Sequence, residues 1–264
     1  MHYYKATIQY DGTDYAGFQW QKNAPTIQSD LNQAIQQILS GKVTTMGASR
    51  TDTGVHALEQ VVKISCEHPL EPEIFLTELR RTLPPQIKCL QITTCHGEFK
   101  PAKEPVSKEY RYYFTNIKSA APDCRFLTNY YYPLNIEKMQ QCVALLIGTH
   151  NFQNFYSTGS NVTSTVREIF VSELTQVNPQ TFFADSPLFH IPDELQICYQ
   201  LKIVGKGFLK QMIRHLMSAL WLVGSEKMTV KEFMQLLEGP KQEKRKWKPA
   251  VAKGLFLYQI SYRD

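Results

Sequence analysis

Residues 42–65 read KVTTMGASRTDTGVHALEQVVKIS: two short β-prone runs, Lys42 to Met46 and Gln60 to Ser65, flank a polar loop that contains glycine. Upstream, Tyr4, Ala6, Ile8 and Tyr10 alternate as a strand, and Leu31, Ala34, Ile35, Ile38 and Leu39 recur at helical spacing before Gly41. Downstream, Pro72 to Leu83 predicts a helix stopped by Pro84-Pro85, and Lys88 to Thr94 predicts a strand. The order is βαββαβ. A connector rich in proline and lysine, Phe99 to Lys108, follows.

The second half repeats that order. It has a strand at Glu109 to Asn116 and a helix with Met139, Cys142, Val143, Leu146 and Ile147 on one face. Strands at Arg167 to Gln176 and Leu195 to Val204 come next, then a long helix from Phe208 to Val223. A shorter helix (Val230, Phe233, Met234, Leu237) and a strand at Leu255 to Tyr262 complete it. The expected architecture is α+β: two ferredoxin-like (βαββαβ) units with mainly antiparallel sheets, 1–105 and 106–264, and a catalytic cleft between them.

Composition bounds the function. With 264 residues, 43% hydrophobic and 20% charged, the chain is globular rather than disordered or fibrous. Its 29 Lys plus Arg against 24 Asp plus Glu give +5, which permits a polyanionic partner without demanding one. The longest apolar-rich stretch, Leu216 to Gly224, is half the length of a membrane span, and the N-terminus lacks the apolar core of a signal peptide. A cytoplasmic protein with no membrane partner is expected. The 6 cysteines are scattered without a C-x-x-C, so reduced thiols and no metal are expected.

Three stretches carry chemistry. The loop Gly47 to Ala57 concentrates Arg50, Asp52 and His56 within seven positions. Arg50, if its side chain meets Asp52, keeps that carboxylate ionised, a nucleophile or base rather than an acid. The same residues are also good hairpin chemistry. Asp52-Thr53-Gly54 spells the aspartic-protease tripeptide, but that reaction needs two carboxylates sharing a proton and only one copy is present. Lys108 to Phe114 interleaves aromatics with basic residues, with Tyr110, Tyr112 and Phe114 on one strand face and Arg111 and Tyr113 on the other. On the long helix, Lys210 and Arg214 are i, i+4 neighbours away from the centre of the apolar stripe. The basic run Lys241 to Lys248, with Trp247, reads equally as an RNA-contacting or a solvated loop.

Together these segments resemble the TruA-type tRNA pseudouridine synthases across nearly the whole chain. Tyr10-Asp11-Gly12-Thr13-x-Tyr15-x-Gly17-Phe18-Gln19-Trp20-Gln21 is similar to the family's opening motif, and Thr26-Ile27-Gln28 to its next. Gly47 to Ala57 resembles the catalytic stretch, usually G-R-T-D-x-G-V-H-A. Lys108 to Tyr112, Gly148-x-His150-x-Phe152, Arg167-x-Ile169, Phe208 to Arg214 and Gly254-Leu255-x-Leu257 follow in order. Thr53, Glu59 and Ala102 depart from the usual pattern, in ways that bear on which uridines are modified.

The resemblance implies a homodimeric isomerase, with no small-molecule cofactor, that converts uridine to pseudouridine in the anticodon stem-loop of tRNA, typically at positions 38 to 40. Asp52 matches the essential aspartate and Arg214 the arginine that pairs with it. Arg50 matches the residue that flips the target base or holds its place, and Tyr110 the tyrosine that stacks on it. His56 and Lys210 are further expected substrate contacts. Asp52 either attacks C1′ or removes the C2′ proton. The alternatives are a catalytically weak tRNA-binding protein or RNA chaperone on the same fold, and a relative aimed at another RNA site.

Overall fold

The computed structural model describes residues 1–116, 124–159, 162–183, 186, 188–193, 195–243, 245 and 247–263. The chain runs β1 (His2–Tyr10), α1 (Ile27–Ile38), β2 (Val43–Gly47), β3 (His56–Cys66), α2 (Pro72–Thr82) and β4 (Ile87–Thr94). It continues β5 (Ser107–Thr115), β6 (Thr128–Asn129), α3 (Ile136–Ala144), β7 (Gly148–Asn151), β8 (Val166–Val177) and α4 (Pro179–Phe183). Then come β9 (Cys198–Gly205), α5 (Met212–Gly224), α6 (Val230–Glu238), a short 3-10 turn (Ala252–Gly254) and β10 (Leu255–Ser261). The fold is mixed α/β with mostly antiparallel pairing.

Two compact units are present, Met1–Val106 with Phe256–Asp264, and Ser107–Leu255. The sequence placed all of 106–264 in the second unit, and the last strand corrects that division. Phe256 and Leu257 pair in parallel with His56 and Ala57 of β3, and Val106 donates its amide to the Ser261 carbonyl. Tyr262 donates from its hydroxyl to Pro101 O (2.8 Å), and its ring lies 5.5 Å from that of Phe99.

In the first unit the strands run β4-β1-β3, with β2 also on β3, the order expected of a ferredoxin-like βαββαβ chain. Tyr4, Ala6, Ile8 and Tyr10 are buried, as the alternation of β1 requires. Along one side of β3 two partners share the edge: β2 pairs with Val62 to Cys66, and β10 with His56 and Ala57. The loop 48–55 leaves the sheet where β2 ends, at Gly47. A side chain there would fall 2.3 Å from the Phe18 ring, so the turn is made over an aromatic plug. Thr26 caps α1 by a reciprocal capping box with Ser29, fixing the segment that enters that helix.

The second unit has strand order β5-β9-β8-β7, all antiparallel, with the short β6 parallel to β5. Over residues 112–114 both faces of β5 are covered. Tyr112 and Phe114 pack edge-on against Trp221, and Tyr113 against Phe183. The helix expected from Phe208 starts only at Met212, because Gln211 takes a left-handed conformation (φ 59°) that breaks the helical path. Among the described residues no helix is long and apolar enough to cross a membrane.

Candidate active site

Arg50, Asp52 and His56 lie on the first unit, and Tyr110, Lys210 and Arg214 on the second. Arg50 is exposed and Asp52 half-buried on the 48–55 loop. Buried groups hold the residues on either side of them. Gln60, on the core face of β3, accepts from Ser49 N (3.1 Å) and donates to Ser49 O (2.6 Å), replacing the strand pairing that β2 has given up. Its amide also donates to Tyr10 Oη at 3.5 Å, and that hydroxyl shares a 2.8 Å hydrogen bond with Thr51 Oγ1. Phe18 N donates to Thr51 O (3.2 Å), Gly54 N to Tyr15 O (3.2 Å), and Val55 N back to Asp52 O (3.1 Å). An exposed cation and an accessible carboxylate therefore stand on a backbone with little freedom.

His56, an expected substrate contact, is enclosed by protein. It is fully buried, its ring stacked on Phe256 at 4.7 Å. Its Nδ1 is 3.1 Å from both the Gly12 amide nitrogen and an Asp11 carboxylate oxygen. One nitrogen cannot accept from the first and donate to the second at once. Burial by itself raises the Asp11 pKa, but the His56 and Thr13 hydrogen bonds outweigh it and bring it to about 2. An ionised Asp11 favours the proton on Nδ1. The imidazole thus ties the start of β3 to the 10–13 turn.

In the second unit, Tyr110 is buried, its ring edge-on to Phe208 at 5.2 Å. Lys210 is exposed in the turn before α5 and is no helical neighbour of Arg214. Its carbonyl accepts from Ser157 N at 3.0 Å. Arg214 Nε donates to Ala250 O (2.6 Å), while Ala250 N donates to Arg214 O (3.0 Å), so the 250 segment fixes one edge of the guanidinium.

The basic run 241–248 is only partly a surface feature, and its Lys244 and Lys246 lie outside the described residues. Arg245 turns inward, donating from Nε to Asn154 O (3.0 Å), from Nη2 to Tyr156 O, and from Nη1 to the His215 ring. His215 Nε2 is 2.9 Å from Ser157 Oγ, whose own proton goes to Gln211 Oε1 (2.6 Å). A neutral imidazole meets both demands, donating to the serine and accepting from the arginine.

Burial first, then the Arg245 and Arg214 charges, lower the His215 pKa to about 3. The unfolded histidine takes a proton near pH 6.5 and the folded one does not until near 3, so stability falls as pH drops through that window. The slope is about 1.4 kcal/mol per pH unit. Between pH 7 and 4.5 the wild-type Tm is expected to fall several degrees further than that of His215→Gln. Equal falls in paired thermal melts would refute this.

Gln60, Tyr10 and Asp11 were not singled out as site residues from sequence. A signal existed for Gln60: alternation places it with Val62 and Ile64 on the buried face of β3, where an amide has no place unless something binds it.

A half-buried carboxylate on a loop braced through its neighbours is what an enzyme using acid–base or nucleophilic chemistry presents. Residues 6–100 and 142–263 match the profile of a family described as tRNA pseudouridine synthase. The chain is 34% identical over 256 residues to tRNA pseudouridine synthase A of Thermoanaerobacter sp. (strain X514), covering 97% of each. It is 33% identical over 263 residues to that of Acetivibrio thermocellus, covering 99% of this chain and 100% of the relative. Against the Streptococcus equi subsp. equi protein of the same name the identity is 31% over 266 residues, covering all of both. The chain belongs to the tRNA pseudouridine synthase family, a family of isomerases.

Proposed function

We propose that this protein isomerises uridine to pseudouridine in the anticodon stem-loop of tRNA, at positions 38 to 40, as a cytoplasmic homodimer. The observation that carries the reading is the fixed Asp52 loop, in a chain related to the synthases over its whole length. In the reaction the C1′–N1 bond breaks, the uracil turns while held, C1′ bonds to C5, and the C5 hydrogen leaves as a proton while N1 gains one. Asp52 either attacks C1′ or removes the C2′ proton. Both roles use the ionised form, as stabilisation of positive charge on the sugar does in glycoside cleavage.

Arg50, exposed beside Asp52, takes the place of the extruded base, an extrusion costing a few kcal/mol. Tyr110, held edge-on by Phe208, offers a flat surface that grips uracil without fixing its rotation. Arg214 is the cation that serves the acid, and Lys210 meets phosphate.

The test is release of tritium from C5-labelled uridine in unmodified tRNA, with the product positions mapped. No release from an anticodon stem-loop substrate would overturn the proposal. Binding is expected to be mainly electrostatic, losing about 10³-fold or more in affinity between 50 and 200 mM salt if six or more phosphates are contacted. Filter binding across that range checks it, and a flat salt profile would contradict it.

A further inference from the structure

We propose that the indole of Trp20 is a stacking platform for an unpaired base of the RNA substrate, a few nucleotides from the reacting uridine. This rests on the functional reading above. The chain has 3 tryptophans. Trp221 is buried, stacked on Tyr130 at 4.7 Å and edge-on to Tyr112 and Phe114. Trp247 lies 6.0 Å from Phe155. Trp20 is 56% exposed, and among the described residues no ring stacks on it and no cation covers it.

That exposure does not come from a loose loop. Trp20 N donates to Gln28 Oε1 (2.9 Å), and Gln28 is itself buried, donating from N to Phe18 O (3.0 Å) and from Nε2 to Thr45 O (2.9 Å). Ala16 N bonds Pro25 O (2.8 Å) and Ile27 N bonds Gly17 O (3.2 Å), closing the loop at its neck. Phe18 is buried beneath it. A large apolar ring is thus presented to water by a backbone that cannot withdraw it.

The same loop is joined to the catalytic one. Phe18 N donates to Thr51 O, and Trp20 and Asp52 are two and one residues from that bond. Their Cα atoms are therefore at most about 18 Å apart, roughly five stacked nucleotides at ~3.4 Å each. The surroundings specify the occupant. Gln19, Gln21, Lys22 and Asn23, its neighbours in sequence, are exposed, no carboxylate occurs from Tyr15 to Ser29, and Arg50 is exposed on the adjoining loop. A single aromatic ring set among amides and cations suits a base with its phosphates. An apolar protein face or a lipid surface would need a wider apolar patch.

The experiment compares wild type, Trp20→Ala and Trp20→Phe with full-length tRNA and with an anticodon stem-loop oligonucleotide. Base–aromatic stacking predicts that Trp20→Ala raises Kd and KM by about 5- to 150-fold, the loss falling on KM rather than kcat, with Trp20→Phe recovering most of it. Saturating RNA is expected to quench tryptophan emission in wild type and to quench it much less in Trp20→Ala. An active wild type whose Trp20→Ala variant keeps Kd within twofold, or emission that RNA leaves unchanged, overturns the platform alone. A wild type that neither binds nor modifies either RNA overturns the functional reading, and the platform with it.

Discussion

Replacing Asp52 by Ala is expected to reduce tritium release from C5-labelled uridine by more than about 1,000-fold, near the upper range for loss of a positioned base, and to leave tRNA affinity within about threefold. The split follows from the loop's construction. Ser49, Thr51 and Gly54 are held through Gln60, Tyr10, Phe18 and Tyr15. Those bonds remain when the carboxylate is removed. Asp52→Asn sharpens the test, since it keeps the shape and loses only the charge. Both variants are expected to melt within a few degrees of wild type. Residual activity of a tenth or more in either would remove Asp52 from the chemistry. A wild type with no release but with salt-sensitive tRNA binding would instead favour a binding protein or RNA chaperone.

The second large effect is at Gly12. A Cβ there would lie 2.0 Å from Val55 O and 2.7 Å from Val55 C, both backbone atoms. No rotamer change relieves that contact, so the 10–13 turn and the end of the Asp52 loop must separate, carrying the Asp11–His56 contact with them. Gly12→Ala is expected to cost about 3 kcal/mol, the upper end for overpacking, and to lower Tm by roughly 6–12 °C, with kcat reduced in the fraction that folds. Gly207 supplies the control, because a Cβ there meets nothing within 4 Å. Gly207→Ala should leave both quantities nearly unchanged. A Gly12→Ala protein that melts and turns over like wild type would refute the close approach.

Much of this was legible in the sequence because local periodicity carries it. The strand alternation of β1, the helix after Thr26 and the strand–loop–strand centre of the first unit each depend on residues near one another. What local pattern misses comes from long-range partners. His56 reads as a loop residue until Asp11 and Gly12, 44 or more positions earlier, and Phe256, 200 later, enclose it. Arg245 reads as one cation in a basic run until Asn154, Tyr156 and His215 claim its donors. The helix carrying Arg214 starts late for a backbone reason at Gln211 that apolar spacing cannot register. Ser49's dependence on Gln60 is visible only as a polar residue on a core face.

The parallel pairing of β10 with the start of β3 has a consequence for the order in which the chain is made. Residues 256–263 leave the ribosome only after the whole second unit, yet Phe256 covers His56, which anchors the beginning of β3. A nascent chain arrested at residue 255 therefore carries its aspartate loop on an unfinished bed. Pulse proteolysis of such arrested chains should find cleavage around 48–56 that vanishes once the final strand is released. The aspartate loop would thus gain its full support only after β10 has been made.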